Sequence, residues 1–522
     1  MELVFILVIA VVSRIIFWLP KQSSDEYAHI WMIKQRKQYG ASWEDDVKRS
    51  IIKGYRGYPS TPHSIISFFP EKWWFVVGKL LNVIYDFIAI TIVYYTSSFL
   101  FTDALNIKLK WAINAPLAVT FLYATSPILH PVTSRLKAIG GRTMGNVLCL
   151  LYIILFGYAF LYQRPFFYII CIPLIWLIIR SSQFAMQYIV FISLALSIFY
   201  RSLTPIALIG IAGMSGVLMP KLRIKKLLRR KLDHYIWFIR NAEAKGTTAK
   251  GRNSLKSILL LPIYFFTDIK RCVNLCFTKI TPFIILYSVP LLGLFAYWFM
   301  KDPKSIDIFM ANNISIYLSV LSISTLLIFI LTSLKPFLFL GEAERYFEYG
   351  IGAWHFLFIY YLIKKDINTD IIFWVLWCHG LAILLNFMYS CLSDPERKIR
   401  SEKTEAFIDL INYLSAQVGL RILTIPTKWS YKIATYLDNP DFNFYYNHIC
   451  RHDIIDGIKY MEEDFVVLNY VKPNMHYFVD KYGINTVIVR KRELETARQK
   501  GINYQVNNKT FENEDYIVFQ PV

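Results

Sequence analysis

Again and again this chain runs through stretches with little or no charge, several of them roughly 17–25 residues and long enough to cross a hydrocarbon core about 30 Å thick, several others short for a full crossing. The runs fall at approximately 2–19, 74–101, 112–130, 144–162, 166–180, 184–200, 203–219, 257–270, 281–300, 314–334, 350–364 and 371–392. The chain is 55% hydrophobic, above the roughly 45–50% of soluble domains. The expected fold class is a polytopic α-helical membrane protein. The first run, Leu3–Leu19, has no basic n-region and no small-x-small cleavage site, and it leads straight into an acidic pair. It reads as a retained span and not as a cleaved signal.

A net charge of +20 would suggest nucleic acid in a soluble protein. Here much of the excess lies between Lys221 and Lys256, twelve Lys/Arg against Asp233 and Glu243. Short basic loops stay in the cytoplasm, anionic headgroups add to their retention, and no nucleic-acid motif accompanies the charge. Nucleic acid is therefore not an expected partner. The seven cysteines are scattered without a CxxC pair, which indicates neither a zinc site nor a disulfide framework.

With the first loop outside, twelve crossings would leave the basic loop outside too, against the positive-inside trend. The stretch from Phe166 to Met219 can hold two spans or three, and treating 166–200 as one crossing with a broken or re-entrant part gives about 11 spans, uncertain by one or two. The basic loop 221–256 is then cytoplasmic, and the 335–349 segment and the carboxy-terminal tail are outside. From Ser393 the long apolar runs stop and helical and strand patterns alternate, which predicts a small α/β domain with a largely parallel sheet. The expected division is a membrane domain over 1–392, with its first outer loop at 20–72, and an extracytoplasmic α/β domain over 393–522.

Three segments carry candidate chemistry. Asp25-Glu26 follows the first span at once and is trailed by Tyr27, His29, Trp31 and Trp43, side chains suited to an interface or a sugar ring. A partly desolvated carboxylate there could take a proton from a hydroxyl. In the stretch from Phe337 to Tyr349, Arg345 presents a planar fork suited to phosphate, with Glu342, Glu344 and Glu348 placed to orient it. Around Lys137 and Arg142, basic residues on the outer side would suit a lipid-linked phosphate; interfacial snorkelling explains them equally. Arg14 and Asp86 are charges inside spans; they pair with each other, or Asp86 shapes the floor of a site.

A first span followed by Asp-Glu at the head of a large loop, with a late Arg345-Tyr346, resembles the GT-C superfamily of integral-membrane glycosyltransferases, closest to protein O-mannosyltransferases and the aminoarabinose transferases. The resemblance implies Asp25 as catalytic base with Glu26 beside it. It implies Arg345, Arg142, Lys137 and Tyr346 at the donor phosphate, and Glu344, His29 and Asp86 in support. It implies inverting transfer of a sugar from a polyprenyl-phosphate donor to a glycan, lipid or protein hydroxyl, outside the plasma (inner) membrane among membrane lipids. The chemistry does not require a metal, since arginines can serve a monophosphate leaving group, although some relatives use a divalent one. A flippase of lipid-linked sugars and an O-antigen polymerase or ligase are the competing readings. No inverted repeat favours the flippase, and the large loop comes too early in the chain for the polymerase or ligase.

Overall fold

The computed structural model describes residues 2–18, 24–105, 115–129, 139–241, 260–269, 306–341, 343–366, 404–439, 441–447 and 454–521, with a few single residues and short pieces between them. Its helices include α1 (Glu2–Trp18), α2 (Ser24–Tyr39), α3 (Thr61–Ile66), α4 (Trp74–Phe99), α5 (Ala115–Thr125) and α6 (Arg142–Leu161). Then come α7 (Phe166–Ser181), α8 (Gln183–Tyr200), α9 (Thr204–Leu218), α10 (Ile224–Asn241), α11 (Asn313–Ser333) and α12 (Glu344–Lys364). Four helical stretches, Glu71–Thr102, Arg142–Leu161, Gln183–Tyr200 and Asn313–Ser333, are long and apolar enough to cross a membrane. The expected spans at 281–300 and 371–392 fall mostly outside the described residues.

By its contacts the chain divides into two compact units, and not at residue 392. A helical unit comprises 1–20, 79–224 and 251–395; a mixed unit comprises 21–78, 225–250 and 396–522. The first loop and the segment carrying α10 thus belong with the carboxy-terminal residues.

Within the helical unit, α6, α7 and α8 run up, down and up. Tyr158 and Phe156 of α6 meet Phe167 and Tyr168 at the start of α7. Gly145 and Tyr152 of α6 meet Ser182 and Ser193 along α8. Ser182 alone joins α7 to α8, in extended conformation, and its hydroxyl caps α8 by accepting from the Ala185 amide. At Gly145 an added Cβ would stand 2.5 Å from Ser182 Cβ, so only glycine permits this approach. These are two antiparallel helices, not one broken crossing. A single broken crossing does not describe 166–200: the two apolar runs are separate helices that Ser182 turns back on each other, and only the positive-inside argument had joined them.

The mixed unit is built on a five-stranded sheet of β1 (Leu420–Ile425), β2 (Phe442–Phe444), β5 (Thr486–Arg490), β6 (Lys509–Glu512) and β7 (Tyr516–Phe519), in the order β2-β1-β5-β7-β6. β3 (Phe465–Val467) and β4 (Tyr470–Val471) form a separate antiparallel ribbon. β2, β1 and β5 are parallel; β7 and β6 close the sheet antiparallel. Helices α13 (Glu405–Ser415), α14 (Trp429–Tyr436), α15 (Ile454–Asp464), α16 (Met475–Tyr482) and α17 (Lys491–Arg498) alternate with the strands. The closing hairpin pairs β6 with β7, and β2 is too short to show in the sequence pattern.

The first loop joins this sheet. The Ile51 amide donates to Phe444 O (3.0 Å) and the Phe444 amide to Arg49 O (2.9 Å), so Ser50 lies as a parallel bridge on the β2 edge. Arg56 donates to Tyr431 Oη (2.7 Å) and Asn447 O (3.0 Å), and Lys34 of α2 donates to Thr435 O (3.0 Å). Lys226 of α10 donates to Glu44 O (2.7 Å), and Asn241 to Glu462 (2.9 Å). Residues in such contact share one side of any membrane. Placing 221–256 opposite the first loop is therefore incorrect for its described part, and the positive-inside argument fails there.

Candidate active site

The helical unit keeps a layer of polar side chains near one end. Arg14 of α1 lies 1% exposed and donates to Asp86 of α4 (2.8 Å) and to Ala124 O (3.0 Å). Asp86 thus balances a buried cation, the first of the two roles open to it. One turn back on α4, Asn82 accepts from Thr143 Oγ1 (2.7 Å). Next to Thr143, Arg142 at the start of α6 grips Glu348 of α12 with two nitrogens, Nε at 3.0 and 3.1 Å and Nη2 at 2.9 Å. Tyr349 Oη and Ser182 Oγ stand 3.4 Å apart. Such charges inside an apolar bundle are costly unless paired, and they cluster at functional positions.

Arg345 sits in the first turn of α12, three residues before Glu348. Its guanidinium lies over the ring of Phe184, the second residue of α8, at 4.4 Å. That ring also adjoins Gly341, whose φ of +108° suits glycine and whose added Cβ would stand 2.6 Å from it. Tyr346 is fully buried and donates its hydroxyl proton to Leu340 O (2.7 Å), and Gln187 donates to the same oxygen (3.3 Å). The segment before α12 is thereby pinned to α8.

Several expectations change. Glu348 holds Arg142, where it was expected to orient Arg345. The Tyr346 hydroxyl, expected at the donor phosphate, donates to the backbone turn before α12. Glu344 is buried in the first turn of α12. Lys137, Glu342 and the side chain of Asp25 lie outside the described residues. Phe184 was not anticipated: a phenylalanine at the head of an apolar helix carries no signal of what it supports.

In the mixed unit, α2 carries Asp25 and Glu26 in its first turn, with Glu26 fully buried. Trp31 and Trp43, each 1% exposed, and Tyr27 are core side chains, so the suggestion that they face a sugar ring does not hold. Tyr27 packs edge-on against Phe75 and Tyr436, and Trp31 against Phe442 and Tyr446. His29, one turn beyond Asp25, bonds His63 of α3 (Nδ1 to Nε2, 2.8 Å) beside Trp43 and Tyr58. Among the described residues no group of three or more His, Cys, Asp and Glu is placed to hold a metal ion.

Burial, then the nearby His63 and Arg56, hold the His29 imidazole well below its ordinary range, and burial pushes His63 down to about 3. Unfolded, both take a proton near pH 6.5 or so. Below that pH the unfolded chain binds more protons than the folded one. Stability is therefore complete above about 6.5 and falls as pH drops toward 3. The thermal midpoint of the purified protein should fall between pH 7.5 and 5.0, and His63→Asn should flatten that dependence; an unchanged slope in the variant would refute this account.

No protein family's sequence profile matches the chain, and no curated protein sequence matches it. Solved structures of the Archaeoglobus fulgidus oligosaccharyltransferase do match in fold. One, tethered with an acceptor peptide containing the NVT sequon via a disulfide bond, superposes with a TM-score of 0.51 at 12% identity. Another, in complex with an inhibitory peptide and a dolichol-phosphate, gives 0.52 at 10% identity. Each match covers 94% of this chain and 69% of the archaeal chain.

Proposed function

Starting from the GT-C fold shared with that archaeal enzyme, we propose that this membrane protein is an inverting glycosyltransferase that moves a sugar from a polyprenyl-phosphate donor to an acceptor hydroxyl on the extracytoplasmic face. The observation that carries the reading is the pairing at the head of α12: Arg345 on its Phe184 platform, and Arg142 docked on Glu348 one turn further along. Two guanidiniums near one polar helix end suit a leaving phosphate, because planar forks match its oxygens.

In the proposed step Asp25 takes the proton of the acceptor hydroxyl. The freed oxygen pair attacks the anomeric carbon from the face opposite the phosphate. The bond from that carbon to the phosphate oxygen breaks with its electrons on the phosphate, which Arg345 stabilises with the positive field of Arg142 behind it. Lys137 belongs to the same proposed basic face. Glu26, next to Asp25 in the chain and fully buried, completes the proposed catalytic pair. The acceptor is a glycan, lipid or protein hydroxyl.

The test is covalent transfer by the purified protein in liposomes, using a labelled polyprenyl-phosphate sugar. Asp25→Asn should lower turnover by about 10²–10⁴-fold, the range of a lost general base, with the thermal midpoint unchanged. Full activity in that variant removes Asp25 from the mechanism. Arg345→Ala should lower kcat by about 10²-fold or more and impair donor use far more than acceptor use; equal effects on both would make Arg345 structural. Labelled lipid crossing the bilayer without transfer would favour a flippase.

A further inference from the structure

The exposed large apolar side chains of the mixed unit are not scattered. Phe68 (81%), Phe69, Trp73 and Val76 immediately precede or open α4, and Leu232 (48%) and Ile239 (65%) lie on α10; elsewhere among its described residues only Tyr39, Ile408 and Val418 are comparably bare. Both stretches adjoin apolar helices of the other unit in sequence. α10 follows α9 after the short turn Pro220–Leu222, and Leu218 at the end of α9 is itself 80% exposed.

Helical periodicity places Lys225, Leu228, Leu232, Ile239 and Arg240 on one side of α10. Lys225 and Arg240 are exposed and Leu228 is half-buried. Asp233, the acid of this helix, falls next to Arg240 by the same periodicity but is buried. The opposite side is held by Lys226 on Glu44 O, Asn241 on Glu462, the buried Trp237 and the Arg230 stem against Gly57. The bare side therefore cannot be rolled inward. An apolar stripe flanked by cations with no exposed acid is the pattern of a helix lying in a lipid interface, its basic stems snorkelling to headgroups. With α10 in contact with the first loop, its charge asks for a partner beyond topology.

We propose that α10 is an anionic-lipid docking helix, with Leu232 and Ile239 among the upper acyl carbons and Lys225 and Arg240 on lipid phosphates. This does not depend on the sugar-transfer reading. The test uses the full-length protein in nanodiscs, with an environment-sensitive fluorescent amino acid at position 232 or 239, and at exposed position 418 as a water reference. In phosphatidylglycerol discs, positions 232 and 239 should be quenched several-fold more by acyl-brominated lipid than by aqueous iodide, and position 418 the reverse. Lys225→Glu with Arg240→Glu should restore iodide quenching at 232 and 239. Iodide quenching at 232 and 239 equal to that at 418 overturns the proposal. So does equal bromine quenching in phosphatidylcholine discs, which would make the contact indifferent to headgroup charge.

Discussion

Glu348→Ala is expected to lower stability by about 3–5 kcal/mol, the cost of leaving one partner of a buried ion pair without the other. Glu348 is fully buried and the Arg142 side chain nearly so, at 0% and 11% exposure, with three short contacts between them. Removing both charges is a different experiment. Arg142→Leu with Glu348→Leu deletes the pair and its desolvation together, and such replacements are often neutral for folding. The double variant should recover most of the thermal midpoint lost by Glu348→Ala, while transfer stays impaired because the donor phosphate has lost a cation. Wild-type transfer in the double variant would show that Arg142 only balances Glu348. A single variant as stable as wild type would show that water reaches the pair.

Asp464→Ala should be nearly as severe, at roughly 4–5 kcal/mol, the range of broken buried networks. This carboxylate, fully buried at the end of α15, accepts from Tyr445 Oη (2.6 Å), Tyr482 Oη (2.6 Å), Tyr477 Oη (2.7 Å) and Lys481 Nζ (3.1 Å). Burial first, then the carboxylate, raises the pKa of the Tyr445 and Tyr482 hydroxyls, so they remain protonated donors. Alanine would strand several of them at about 1–3 kcal/mol each, without simple additivity. Asp464→Asn keeps the shape and one acceptor oxygen, so it should be milder. Thermal unfolding and limited proteolysis measure the loss, and transfer should fall only with the folded fraction. Lost transfer at an unchanged midpoint would give Asp464 a direct part in the reaction.

Apolar length made the helices legible, and the alternation after Ser393 made α13, α14, α16, α17, β1 and β5 legible, because each rests on a local period. What stayed hidden was pairing across distance. Arg142 and Glu348 are 206 positions apart, and either could have been a solvated charge. Tyr346 read as a polar ligand because hydroxyls bind phosphate, yet its nearest acceptor was the backbone six residues earlier. Hydropathy separated 166–180 from 184–200, but the positive-inside rule argued for joining them, and Ser182 reverses the chain without a proline or glycine to mark the turn. Parity counting on that merge then put α10 on the wrong side. Aromatic residues of the first loop read as interfacial for want of any visible core to receive them; that core is supplied by residues beyond 400.

The bridge of Ser50 onto β2 sets an order of events during synthesis. The ribosome makes the loop almost four hundred residues before the strand that receives it. At about 5–20 residues per second, the loop waits on the order of 20–80 s without its partner. Every intervening hydrophobic segment must be inserted in that interval, so a membrane-inserted but unfinished chain holds a tethered loop whose Trp31 lacks its partners Phe442 and Tyr446. Truncation before residue 442 would leave that intermediate permanent, a substrate for quality-control proteases and not a shortened enzyme.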